Sequence, residues 1–292
     1  MATKTSITSK LNLGSKVKLS DGNLIPRLGL GVYEMSDQQA SRAVTWALEA
    51  GYRHFDCAEW YYNEQSVGTA ISHFLSSPNC PIKRADIFYC SKLQSNNGYE
   101  SAKRSIEQSL KKCGLGYIDL YLIHSPYGGK KKRLESWKAI QEAKDQGLIK
   151  SIGVSNYGQR HLEELLESNS QHRPTVNQCD LHPFMARREL VDWCSSQGIV
   201  MECWGPLVRA ERFDHPAIVK LAKKHAVTPA QVLIRFSLQR GYVTIPKSVS
   251  KQRIIENADV FNFELDQGDM DQLLDLDEYL VTDWDPIGDA SA

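Results

Sequence analysis

The sequence predicts an α/β fold, a (β/α)8 TIM barrel with an N-terminal β-hairpin and a C-terminal extra helix and tail. Three observations predict it. Eight short apolar runs alternate with helix-period segments along 292 residues. Polar residues collect at the ends of those runs. No shift in composition divides the chain, so residues 1–292 read as a single domain, with 1–15 as a flexible N-terminal arm and 281–292 as a tail.

The hairpin comes first. KVKL and NLIPRLGLG flank Asp21-Gly22, a dipeptide that favours a tight primed turn. The strand-like runs follow: LGLGV (28–32), RHFDC (53–57), IFYCS (87–91), IDLYLIH (118–124), SIGVS (151–155), TVNQCD (175–180), GIVMECW (198–204) and YVTIPK (242–247). Between the first two, SDQQASRAVTWALEAG repeats apolar residues at three- and four-residue steps. Ser36 and Gln39 form a capping box there, and Gly51 supplies a stop. Similar spacing predicts helices around 64–75, 100–112, 134–145, 160–167, 187–196, 216–224 and 229–239, with a last one around 269–280 closing one face. The basic run GGKKKR (128–133) reads as a solvated loop. An open doubly wound sheet is the competing architecture. It lacks its Gly-rich phosphate turn, because Glu34 stands where LGLGVYE would need a third glycine.

In a parallel barrel the C-terminal strand ends open on one rim, where such folds carry their chemistry. Asp56 ends the second run, Lys92 follows the third and His124 ends the fourth. Ser155 and Asn156 end the fifth, Gln178 lies in the sixth, Trp204 ends the seventh, and Lys247 with Ser248 ends the eighth. A carboxylate and an ammonium at adjacent strand ends should pair, since neither tolerates burial alone. A tyrosine beside that ammonium should have its pKa drawn below about 10, because a cation favours phenolate. Such a group can protonate a developing alkoxide, and a histidine can hydrogen-bond the receiving oxygen.

On these residues the chain resembles the aldo-keto reductase family. GYRHFDCAEWYYNEQSVG is similar to the family signature, in which a strand-end Asp precedes the catalytic Tyr by five positions, selecting Tyr61 over Tyr62. IFYCSK resembles the segment bearing the catalytic lysine, LYLIHSP the one bearing the histidine, and IGVSNY, NQCDLHP, CWGPL and IPKS…RIIEN the cofactor-contact segments. The resemblance implies Asp56, Tyr61, Lys92 and His124 as the catalytic set. It implies Ser155, Asn156, Gln178, Trp204, Gly205, Pro206 and Leu207 around a nicotinamide. Lys247, Ser248 and Arg253 would meet an adenosine 2′-phosphate, and Glu256 and Asn257 the adenine, so the cofactor that the resemblance implies is NADPH/NADP+. Tyr33, Trp60, Tyr127 and Trp284 would wall the substrate, the tail lying on that side. CWGPL resembles the microbial diketogluconate-reductase branch. Gln94 and Ser125 replace the tryptophans of many animal members, which implies an open, polar pocket.

The expected activity is therefore NADPH-dependent reduction of an aldehyde, ketone or keto-sugar carbonyl. The alternatives are a non-catalytic nicotinamide-binding module on the same barrel, and hydrolysis through Asp56 with Glu59 or a His54–Asp56 metal site, for which no third ligand is evident, so no metal is expected. Thirty-five basic residues balance thirty-five acidic ones, leaving no bulk field for nucleic acid. No run of 18 apolar residues exists to span a membrane. Seven irregularly spaced cysteines and a polar N-terminus without an apolar h-region point to a cytoplasmic protein. A monomer or weak homodimer is expected.

Overall fold

A computed structural model describes residues 11–168 and 170–292. The chain opens with a hairpin of β1 (Lys16–Lys18) and β2 (Leu24–Pro26), then alternates strand and helix from β3 (Leu30–Gly31) through α1 (Asp37–Glu49), β4 (His54–Asp56) and α2 (Glu64–Leu75). It continues through β5 (Phe88–Leu93), α3 (Tyr99–Cys113), β6 (Ile118–Ile123), α4 (Lys130–Asp145), β7 (Ile149–Ser155) and α5 (Gln159–Glu167). β8 (Val176–Cys179), α6 (Arg188–Ser196) and β9 (Val200–Cys203) lead to the pair α7 (Pro216–His225) and α8 (Pro229–Gln239). β10 (Val243–Thr244), α9 (Lys251–Ala258) and α10 (Gln267–Leu274) complete the order.

Strands β3 to β10 pair in chain order, each parallel to its neighbour. Parallel bridges from Leu28 to Thr244 and from Gly31 to Lys247 join first strand to last, closing the sheet into a barrel. The pleat turns alternate side chains inward. Below, Leu19 and Ile25 of the hairpin plug the barrel with Phe88, Leu120, Val176 and Val243. Above that apolar layer His54, Asp56, Lys92, Gln178 and Glu202 are all buried. The larger core lies between barrel and helices, where α1 buries Ala40, Ala43, Val44, Ala47 and Leu48 under the capping box of Ser36 and Gln39.

Several boundaries differ from expectation for identifiable reasons. The hairpin is closed by three residues, not a two-residue primed turn: the Leu19 N–H donates to Asn23 O at 2.8 Å and Gly22 takes φ +93°. The run KKKR begins α4; Lys130 to Lys132 are exposed, but Arg133 is buried, donating to Glu164 and to Pro126 O. α9 escapes periodicity because only Ile254 and Asn257 of its eight residues are buried, and Ser250 caps it. α10 stops at Leu274, after which Leu276 and Leu280 pack back onto the second core cluster. Of the expected arm, 1–10 lies outside the described residues. Leu11 is buried in the core and Leu13 packs against it, so 11–15 is not free.

Candidate active site

The sequence HFD ends β4 with Asp56 turned inward, and FYCSKL brings Lys92 inward on β5 beside it. All three ammonium protons of Lys92 find acceptors: Asp56 Oδ1 at 2.6 Å, Cys57 O at 2.9 Å and Tyr61 Oη at 3.3 Å. Burial opposes the ammonium's charge, yet Asp56 more than offsets it and holds the Lys92 pKa above that of a free lysine. Tyr61 ends a 3₁₀ turn, Glu59–Tyr61, that bends the chain across the mouth. Tyr62, next along, adopts φ +56° and is exposed. Only Tyr61 meets the lysine.

The phenol corrects one expectation. Burial raises the Tyr61 pKa, and the pull of Lys92 downward is weaker, so Tyr61 stands above the ordinary phenol range as a neutral O–H. The sequence reveals the lysine but not the depth of the pocket. His124 lies against Tyr61, ring centroids 5.7 Å apart and nearly perpendicular. Burial first, then the Lys92 charge, drives its pKa well below the usual histidine value, so the ring is neutral. Its Nδ1 is buried with no partner among the described residues.

Asp56 Oδ2 accepts from Gln178 Nε2 at 2.8 Å, and the same nitrogen donates to Glu202 Oε2 at 2.9 Å. Glu202 was missed in the sequence. Its only signal is an acid inside the apolar run IVMEC, and it is fully buried. Burial, with the Asp56 charge adding to it, pushes its pKa up to about 8. Glu59 does not pair with Asp56: it accepts from the Gln94 N–H and the Ser105 hydroxyl, each at 3.1 Å.

Ser155, Asn156 and Trp204 form a second group. The Ser155 hydroxyl donates to Gln178 O at 2.9 Å, Asn156 Nδ2 donates to Ser155 Oγ and to His124 O, and Trp204 Nε1 donates to Asn156 Oδ1 at 2.9 Å. Gly205 follows because an added Cβ would fall 2.1 Å from Asp180 Oδ1. Pro206 is buried and Leu207 half-buried beyond it. Further round the rim Lys247 and Arg253 are exposed, without an acidic partner within 4 Å among the described residues. They flank the α9 N-terminus, where the Ser248 hydroxyl accepts from the Ser250 N–H. Glu256 is half-buried and Asn257 buried on the same helix.

Aromatics wall the remaining side. Trp284 meets Trp60 and His124 edge-on, with centroids 6.0 and 6.1 Å apart, and stacks on Tyr127 at 6.1 Å. Tyr33 packs on Tyr61 at 5.2 Å. Tyr127 donates to Asp289, and Arg209 pairs with both Glu34 and Asp283, so the tail is tied across the mouth.

A closed parallel barrel with its polar chemistry at the C-terminal strand ends defines a barrel enzyme. Residues 27–278 match the family model described as "Aldo/keto reductase family", and the chain belongs to that family. An uncharacterized oxidoreductase of Schizosaccharomyces pombe is 44% identical over 274 residues, covering 94% of this chain and 98% of its own. The glyoxal reductase of Bacillus subtilis is 42% identical over 264 residues, covering 90% and 92%. A crystal structure of an aldo/keto reductase from Brucella melitensis superposes with a TM-score of 0.84 at 43% identity, covering 90% and 99%. The protein is an oxidoreductase of the carbonyl-reducing kind. Among the described residues no helix is long and apolar enough to cross a membrane.

Proposed function

We propose that this chain reduces the carbonyl of an aldehyde, ketone or keto sugar to the alcohol, using NADPH and taking the proton from Tyr61. The observation that carries the reading is the Tyr61 hydroxyl 3.3 Å from a buried ammonium that Asp56 anchors. The mouth suits a phosphorylated nicotinamide dinucleotide. Among the described residues Gln178 Oε1 receives no donor, and Lys247 and Arg253 have no acidic partner beside a helix N-terminus. Bound there, the dinucleotide would supply hydride to the carbonyl carbon.

As that C–H bond forms, the carbonyl π pair moves onto oxygen, and Tyr61 gives this oxygen its proton. An alkoxide is a stronger base than a phenolate, so the transfer runs downhill even from a phenol that burial has made less acidic. Lys92 stabilises the phenolate left behind, and water returns the proton. His124, neutral, donates to the carbonyl oxygen and orients it. Ser155, Asn156 and Gln178 hold the carboxamide, Trp204 packs on the ring, and Gly205, Pro206 and Leu207 flank it. Lys247, Ser248 and Arg253 grip the 2′-phosphate, with Glu256 and Asn257 toward the adenine. Tyr33, Trp60, Tyr127 and Trp284 wall the substrate beneath the tail 281–292.

The reading carries a single domain over 1–292, monomeric or weakly dimeric, in the cytoplasm. Seven free cysteines suit that compartment. The relative's name, glyoxal reductase, directs the first assays to small dicarbonyl aldehydes. The test is Tyr61→Phe in an NADPH-oxidation assay alongside cofactor titration. The variant should lose roughly 10²- to 10⁴-fold in kcat with its cofactor Kd nearly unchanged. Retained turnover would remove Tyr61 as the acid.

A further inference from the structure

Beneath the mouth, two carboxylates converge on one donor. Gln178 Nε2 spends one N–H on Asp56 Oδ2 and the other on Glu202 Oε2. Were the amide turned over, its oxygen would face both carboxylates, so the two acids fix which end of Gln178 points to the mouth.

The other Glu202 oxygen meets His54. Oε1 lies 3.4 Å from His54 Nε2 without a hydrogen bond between them, and both atoms are buried with no hydrogen-bond partner among the described residues. His54 Nδ1 faces Pro26 O at 3.3 Å, and a carbonyl can only accept, so the ring proton sits on Nδ1 and Nε2 presents a bare lone pair. The ring packs against Gly29, where an added Cβ would fall 2.8 Å from His54 Cγ and Nδ1.

A carboxylate opposite a lone pair is repulsive unless a proton lies between them. Burial disfavours an imidazolium and outweighs the favourable Asp56 charge, with the Lys92 charge adding a smaller push, drawing the His54 pKa down to about 4. The proton therefore belongs on Glu202. The titratable groups facing Glu202 across the barrel are His54 and Asp56 on β4 and Cys90 and Lys92 on β5. Burial holds the Cys90 thiol neutral. With Glu202 neutral, the only charges in the layer are the opposed pair Asp56 and Lys92.

We propose that Glu202 is a positioning residue for the reduction: as a neutral acid facing the His54 lone pair, it joins Asp56 in holding the Gln178 amide with its oxygen toward the nicotinamide carboxamide, and it places no second anion behind Lys92. The proposal rests on the nicotinamide reading above, since Gln178 acts through a bound cofactor. Ionising Glu202 would place a negative charge behind Lys92, weaken Tyr61 as an acid and slow protonation. An alkaline decline in kcat then belongs to Glu202, because Tyr61 itself is held above the ordinary phenol range.

The experiment compares wild type, Glu202→Gln and Glu202→Leu. The glutamine keeps the shape and lasting neutrality of the acid: its N–H can donate to His54 and its oxygen can accept from Gln178. Wild-type kcat should fall roughly fivefold or more between about pH 7 and about pH 9.5, while E202Q stays nearly flat and keeps most of the pH 6.5 rate. E202L removes one of the two acceptors that hold the Gln178 amide. Wild type and E202Q should prefer NADPH over its 3-acetylpyridine analogue, which lacks the carboxamide N–H, by roughly two- to tenfold in Kd, and E202L should show a smaller preference. A large loss of E202Q activity at pH 6.5, or an E202Q profile with the wild-type alkaline limb, overturns the proposal. So does discrimination that is undiminished in E202L or absent in wild type. If E202L does not fold, the E202Q profile decides. Failure of wild type to bind NADPH at all would strike the nicotinamide reading instead.

Discussion

Lys92 holds its ammonium 2.6 Å from the Asp56 carboxylate inside the barrel, with neither side chain open to water. Such a pair owes its stability to completeness: each charge is tolerated because the other is present and because Cys57 O, Tyr61 and Gln178 fill the remaining hydrogen-bonding positions. Asp56→Asn preserves shape but strands the ammonium. The variant should unfold about 3–5 kcal/mol more easily, as expected when one partner of a buried pair is removed. Urea denaturation measures this directly. In D56N,K92M, with both charges gone, much of the loss should return. If D56N matches the wild-type midpoint, the pair does not hold this region together.

At the opposite edge of the mouth, Lys247 and Arg253 are exposed cations without acidic partners among the described residues, at the head of α9. A phosphate monoester there would complete both. Replacing either with alanine should raise the Kd for NADPH by roughly tenfold, at the weaker end of charge-assisted hydrogen bonds because the site is wet and screened. The Kd for NADH, which lacks that phosphate, should barely change. The wild-type preference should also shrink as salt is added. Equal losses for both nucleotides would move the 2′-phosphate elsewhere.

Asp56, Lys92 and His124 were legible because each is a polar residue closing an apolar run, and a parallel barrel sends all such ends to one rim. Tyr61 could be distinguished from Tyr62 only through the family spacing, and the left-handed turn at Tyr62 is the physical reason for it. The direction of the Tyr61 shift was not legible. Sequence reveals that a lysine is near but not how little water surrounds the phenol, and burial outweighs the lysine. Glu202 was missed for a related reason. A single acid in IVMEC keeps the strand's alternation, and its meaning depends on Gln178, which in turn reaches Asp56 across 122 residues of chain. Helix α9 hid because it buries one face of only two residues.

The buried acid and imidazole also set how stability follows pH. Folded, Glu202 binds its proton more tightly than an exposed carboxylate does, its pKa pushed up to about 8 by burial and by Asp56. Its contribution is therefore complete below about pH 4.5 and is lost as pH rises through 8. His54 behaves oppositely. Burial lowers its pKa from 6.5 to about 4, so its contribution is complete above 6.5 and is lost as pH falls toward 4. Between about pH 4.5 and 6.5 the pair carries one proton folded, on Glu202, and one unfolded, on His54. The two slopes cancel there. Above pH 6.5 only the folded pair keeps a proton, so stability should decline toward pH 8 by about 2 kcal/mol, taking roughly 1.4 kcal/mol per unit. Glu202→Gln removes that alkaline slope and exposes the histidine one. The variant should instead lose stability as pH drops from 6.5 toward 4, where His124, also drawn down by burial and Lys92, adds to the loss. Urea unfolding at half-unit steps from pH 4 to 8.5 measures both curves. Parallel curves for wild type and variant would mean that Glu202 is ionised in the folded barrel.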